Sequence, residues 1–78
     1  MRTGISVVVS PSDRLRLEAV AGDRNTRQKH VWRCRIVLLT ADGTGTSAIM
    51  RMAGVSKTAV WRWQERFMKE GIAGLLHD

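Results

Sequence analysis

The chain has 78 residues, of which 44% are hydrophobic and 26% charged, a balance that fits one small globular domain and excludes a disordered chain. A single cysteine, Cys34, excludes an internal disulfide and a cysteine zinc site and suits a reduced intracellular protein. Thirteen Lys and Arg residues oppose seven Asp and Glu residues, and the net charge of +6 favours a polyanionic partner, foremost nucleic acid. The longest apolar runs, 7–9 and 36–39, are far shorter than the roughly 20 residues that a bilayer requires, so we expect no membrane partner.

The first part of the chain predicts an extended arm followed by a helix. Residues 1–10 form the predicted arm, because β-branched isoleucine and valine dominate its second half. Ser10 is typical of an N-cap and Pro11 of a first helical residue, so a first helix is predicted from Pro11 to about residue 21. The remaining residues, 11–78, are assigned to one domain.

Three further helices follow from apolar residues at spacings of three and four. Their predicted ranges are about 27–41, 47–53 and 57–70, with Thr26, Thr46 and Ser56 as the N-caps. The apolar tail that contains Ile72, Leu75 and Leu76 is expected to form a short turn folded back on the core. The sequence therefore predicts an all-α fold, a small bundle of four helices with an extended N-terminal arm.

Residues 46–67 have the layout of a helix-turn-helix that reads DNA: a short helix, a glycine-centred turn and a second capped helix. Gly54 can adopt the positive φ that a tight turn at 54–56 demands. The predicted contacts between the two helices join Ile49, Ala53 and Val55 to Val60 and Trp63.

The opposite face of the fourth helix, the predicted recognition helix at about 57–70, is expected to bind double-stranded DNA. Its N-terminal end suits the major groove, and the helix dipole there favours phosphate. The predicted DNA-binding residues are Ser56, Lys57, Thr58, Trp61 and Arg62. Arg62 suits a bidentate contact with guanine or a contact with phosphate. Trp61 suits packing on a sugar or a thymine methyl or, alternatively, burial against the C-terminal tail.

Basic residues outside this set are candidates for contacts with the DNA backbone. These phosphate-contact candidates are Arg51, Arg66, Arg33 and Lys29. Two of them belong to the segment 24–35, which holds five cations and no acidic residue. A solvated surface is the alternative interpretation of that segment.

Four segments in this order resemble the N-terminal part of bacterial insertion-sequence transposases of the mariner superfamily. They are residues 35–43 (RIVLLTADG), 53–56 (AGVS), 59–67 (AVWRWQERF) and 71–75 (GIAGL), and the likeness covers residues 13–78. The resemblance implies a homeodomain-like or winged-helix-like unit that binds the terminal inverted repeats of a mobile element. It also implies a cytoplasmic, nucleoid-associated bacterial protein. Two positions depart from the pattern: Met50 replaces the usual alanine, which suggests a wider helix crossing, and Trp61 replaces a polar residue.

The resemblance also implies a later catalytic domain with three acidic residues and two divalent metal ions, which this sequence lacks. We therefore expect a truncated reading frame or an excised domain. The seven acidic residues are dispersed, none of them pairs as a two-metal cluster, and residues 43–45 lack the lysine and spacing of a phosphate-binding loop. The sequence thus predicts no enzymatic activity, no metal, no cofactor and no small-molecule substrate.

Two other functions fit the same residues. A stand-alone helix-turn-helix transcriptional regulator would use the same DNA-binding chemistry. A protein-interaction module would instead use Ile72, Leu75, Leu76 and the three tryptophans as a dimer face, which makes a homodimer an alternative assembly.

Overall fold

The computed structural model describes residues 7–76, which form five α-helices and no strand. The helices are α1 (Pro11–Gly22), α2 (Gln28–Ala41), α3 (Thr46–Ala53), α4 (Lys57–Glu70) and α5 (Ile72–Leu76). The all-α prediction is confirmed, but the prediction of four helices was wrong, because the apolar tail forms the short helix α5. Residues 1–6 of the predicted arm and residues 77–78 lie outside the described part of the chain.

The start of α1 follows from its local sequence. The Ser10 hydroxyl accepts a hydrogen bond from the Asp13 N–H at 3.1 Å, and Pro11 is the first helical residue, as predicted. Just before this cap, Val7 and Val9 pack against the core, whereas Val8 is 72% exposed. The described end of the arm therefore lies against the fold.

The starts of α2 and α3 differ from the prediction. Arg27 is the N-cap of α2 and Gly45 is the N-cap of α3, and neither makes a side-chain capping bond. The assignment of Thr26 and Thr46 as caps was therefore wrong. Both helices begin without side-chain caps, so packing of their apolar faces must compensate for the weak local signals.

The core consists of two clusters of buried side chains. The first joins α1, α2, α4 and α5 through Leu17, Cys34, Val37, Phe67, Ile72 and Leu75. The second joins α2, α3 and α4 through Ile36, Ile49 and Val60. Trp63 packs against both clusters, so α4 takes part in both halves of the core. Ile72 and Leu75 are buried and close the core, whereas Leu76, the third tail residue of the alternative dimer face, is 37% exposed.

Helix α5 lies close against the last turn of α4. A Cβ atom at Gly74 would be 2.8 Å from the Glu70 Cβ and 3.0 Å from the Arg66 carbonyl oxygen, distances that only glycine allows without movement. Gly74 is therefore needed for the close approach of the two helices. This packing places the end of α5 next to α2.

Candidate nucleic-acid interface

The turn between α3 and α4 has the predicted geometry. Gly54 adopts φ 67° and ψ 36°, in the left-handed region that favours glycine. Its N–H and that of Val55 donate to the Met50 carbonyl at 2.8 and 3.2 Å, which satisfies the end of α3. The Ser56 hydroxyl accepts a hydrogen bond from the Ala59 N–H at 3.2 Å and caps α4.

One face of α4 is sealed against the rest of the domain. Val60, Gln64 and Phe67 are buried along this face. The predicted contacts across the turn are present, because Ala53, Val55 and Trp63 pack against the cluster that holds Ile49 and Val60. Met50 packs against the same cluster, so its longer side chain is accommodated where the two helices cross.

The opposite face of α4 is open to solvent at its N-terminal end. Ser56, Lys57, Thr58 and Arg62 are exposed, and Trp61 is half-buried. Trp61 belongs to neither core cluster. Its ring lies 5.6 Å from the Lys57 ammonium, and it lines a shallow surface depression together with Thr58 and Arg62. The predicted DNA-binding residues therefore share one surface.

The basic residues of α4 differ in whether they form ion pairs with acidic side chains. In its second half, the Lys69 ammonium lies 3.1 Å from the Glu65 carboxylate, and the Arg66 guanidinium lies 3.8 Å from the Glu70 carboxylate. In its first half, Arg62 makes no ion pair with any residue from 7 to 76. Since paired cations are partly neutralised, the positive potential of α4 is concentrated in its first two turns.

The phosphate-contact candidates occupy three different environments. Two of them flank the turn: Arg51 and Lys29 line separate surface hollows, and Val55 contributes to both. Arg66 is half-buried and paired with its acidic neighbour, and it lies 5.8 Å from the Trp63 ring. Arg51 and Lys29 therefore lie on the surface on either side of the turn.

Arg33 is engaged with the protein itself. Its guanidinium carbon lies 3.9 Å from the centroid of the Trp63 ring, and its Nη1 donates a hydrogen bond to the Leu75 carbonyl at 3.1 Å. One side chain of α2 thus contacts both α4 and α5. This arrangement favours a structural role for Arg33 over a contact with phosphate.

Two further residues of this region, Lys69 and Gln64, had no role predicted from the sequence. Lys69 extends the solvent-facing stripe of α4 at seven residues from Arg62, and its helical spacing was the signal that could have found it. Gln64 lies on the mainly apolar face of α4, but its partner, Thr40, is 24 residues away on α2 and has no signature in the sequence.

No metal or membrane site emerges from the described residues. Within 7–76, no three His, Cys, Asp or Glu side chains are grouped so that they could hold a metal ion. None of the helices there combines the length and apolar character needed to cross a bilayer. Cys34 is fully buried, and this burial raises the pKa of its thiol to about 11.

Comparison with known proteins identifies one family. A family model described as a homeodomain-like domain matches residues 27–76, from the cap of α2 to the end of α5. The match includes the whole helix-turn-helix, an arrangement that proteins use to bind DNA. No curated protein and no solved structure matches the chain. Because the family model covers more than half of the sequence, the chain belongs to the homeodomain-like domain family.

Proposed function

We propose that the protein binds double-stranded DNA sequence-specifically, by placing the first two turns of α4 in the major groove. One observation carries this proposal: the start of α4 presents exposed Lys57, Thr58 and Arg62, while its opposite face is sealed in the core. A helix held in this way presents its exposed face to solvent in a fixed orientation. The major groove, about 12 Å wide, accepts such a helix.

The start of α4 suits an approach to the phosphate backbone. The Ser56 hydroxyl is bonded to the Ala59 N–H, whereas the N–H groups of Lys57 and Thr58 have no acceptor within their own helix. Together with the positive end of the helix dipole, these groups favour a phosphate oxygen nearby. Arg51 and Lys29 can add contacts to the backbone on either side of the turn.

Three side chains, those of Thr58, Trp61 and Arg62, are assigned to contacts with the bases. Arg62 is exposed and unpaired within the described chain, so its guanidinium can donate two hydrogen bonds to the O6 and N7 atoms of guanine. Trp61 offers a half-buried apolar ring on the same surface, which suits a thymine methyl or a sugar. The Thr58 hydroxyl can donate a hydrogen bond to an acceptor on a base edge or accept one from a donor there.

The DNA proposed as the target is the terminal inverted repeat of an insertion element, with this domain acting as the end-recognition part of a transposase. The resemblance of the four segments at 35–43, 53–56, 59–67 and 71–75 to bacterial insertion-sequence transposases supports this assignment. In this proposal the domain supplies binding only, and strand cleavage belongs to a separate catalytic domain.

Selection of binding sites from a pool of random duplexes tests the proposal. The expected result is one enriched motif that binds at least about 10³-fold more tightly than unrelated DNA at the same salt concentration. Arg62→Ala serves as the matched variant and should lose enrichment of the motif. A pool that remains random after repeated rounds would contradict sequence-specific binding.

The position of the selected motif separates the two candidate roles. A motif that matches inverted repeats on both sides of the reading frame supports end recognition. A motif confined to promoter regions supports a stand-alone transcriptional regulator instead. Both outcomes retain DNA binding by α4.

A further inference from the structure

Gln64 is a buried polar side chain on the sealed face of the recognition helix. It is 7% exposed and lies between Val60 and Phe67, which are both buried. Its Nε2 donates a hydrogen bond to the Thr40 hydroxyl at 2.9 Å, and that hydroxyl donates to the Ile36 carbonyl at 2.7 Å. Two consecutive hydrogen bonds therefore tie the middle of α4 to the last turns of α2.

The hydrogen bond between Gln64 and Thr40 adds little to the stability of the fold beyond what an apolar side chain at position 64 would provide. The net stabilisation by a hydrogen bond is small, because the same groups bond to water in the unfolded chain. If leucine replaced Gln64, the Thr40 hydroxyl would still donate to Ile36, so no donor would be left unpaired. Stability alone does not account for an amide at this position.

The hydrogen bond constrains the orientation of α4 about its own axis. Apolar contacts between helices are non-directional, so they tolerate small rotations of one helix about its axis. A hydrogen bond fixes both a distance and an angle between its partners. A rotation of α4 by about 10° would move a side-chain tip some 6 Å from its axis by about 1 Å. That displacement would break a bidentate contact with a base.

We propose that Gln64 is a positioning residue of the recognition helix: its hydrogen bond to Thr40 fixes the rotation of α4 and thereby directs Arg62 at the base edges. The inference rests on the proposed function, because it concerns how sharply α4 discriminates between DNA sequences. Non-specific binding through phosphates depends less on this rotation, since the backbone offers many equivalent oxygens.

The test measures stability and sequence discrimination separately in the full chain. Gln64→Leu is compared with wild type and with Gln28→Leu, which makes the same change at the exposed start of α2. Thermal unfolding followed by circular dichroism gives Tm. Affinities for the selected duplex and for a scrambled duplex, at one salt concentration, give the specificity ratio.

The expected result is an unchanged or higher Tm for Gln64→Leu, with a specificity ratio about tenfold lower, close to the effect of one mismatched base pair. Most of this loss should come from weaker binding to the selected duplex. Gln28→Leu should change neither quantity. A full specificity ratio in a folded Gln64→Leu variant would overturn the inference while leaving the proposed function intact.

Two variants of the partner residue keep the inference testable if Gln64→Leu does not fold. Thr40→Val removes the hydroxyl and should lower both Tm and the specificity ratio, whereas Thr40→Ser keeps the hydroxyl and should restore the ratio. An equal ratio in both variants would refute the positioning role. If wild type itself shows no preference for any duplex, the proposed function fails, and the inference fails with it.

Discussion

The contact of Arg33 with Trp63 and Leu75 predicts that Arg33→Ala destabilises the fold. The guanidinium lies 3.9 Å from the ring centroid, an arrangement that contributes about 0.5–2 kcal/mol. The hydrogen bond to the Leu75 carbonyl, at 3.1 Å and partly buried, involves a charged donor and contributes about 1.5–3 kcal/mol. We expect Arg33→Ala to lower the free energy of unfolding by about 2–5 kcal/mol, which is most of the stability of a domain this small.

Thermal unfolding by circular dichroism measures this loss, which corresponds to a fall in Tm of roughly 10–40 °C. Arg33→Lys keeps the charge but loses the planar group that stacks on the ring, so it should recover only part of the stability. The dependence of DNA affinity on salt, measured below Tm, should be the same in both variants as in wild type. An unchanged Tm for Arg33→Ala with a salt slope smaller by about 0.9 would refute this reasoning and assign Arg33 to a phosphate contact.

Four further predictions concern the interface and the core. Arg62→Ala should weaken binding to the selected duplex by about 1–3 kcal/mol in a fluorescence anisotropy titration, and an unchanged affinity would remove Arg62 from the reading surface. Glu65→Gln should free its lysine partner and tighten binding to DNA of any sequence, with a salt slope steeper by about 0.9; an unchanged slope would count against that ion pair. Because burial raises the pKa of Cys34 from 9.0 to about 11, the folded state favours the neutral thiol, and stability is lost as the pH rises through that interval. Urea unfolding should show that the free energy of unfolding is about 2 kcal/mol lower at pH 10.5 than at pH 8, and Cys34→Ala should not show this loss. Equal losses in both proteins would contradict the raised pKa of the thiol. Gly54→Ala should lower the free energy of unfolding by about 1–2 kcal/mol through its positive φ, whereas Gly22→Ala, at a position with no positive φ and with open space for a Cβ atom, should not; equal effects would contradict the strain.

The parts of the fold that the sequence predicted correctly depend on contacts between near neighbours in the chain. The caps at Ser10 and Ser56 each bond to an N–H three residues later, and the turn at Gly54 depends on its own φ. Such signals require only a short stretch of sequence. The extent of α4 and the location of its exposed cations follow from the same signals together with helical periodicity.

The parts that could not be predicted depend on residues far apart in the chain. Helix α5 has only five residues, and packing against α4 stabilises it rather than local propensity. Arg33 bonds to a carbonyl 42 residues away, so an exposed phosphate contact and a structural contact give the same sequence pattern. The N-caps assigned to Thr26 and Thr46 failed because each threonine lies one residue from the true cap, a difference that sequence patterns rarely resolve.

In the proposed binding mode only the first two turns of α4 contact bases, since Lys69 is paired with Glu65 and Arg66 with Glu70 in its second half. Two helical turns advance about 11 Å, which corresponds to about three base-pair steps. With four distinguishable base pairs, a three-base-pair sequence occurs about once in every 64 positions of random DNA. A unique location among about 10⁶ genomic sites requires about ten base pairs. In the proposed binding mode, selective targeting would therefore require several recognition units that bind adjacent sequences together.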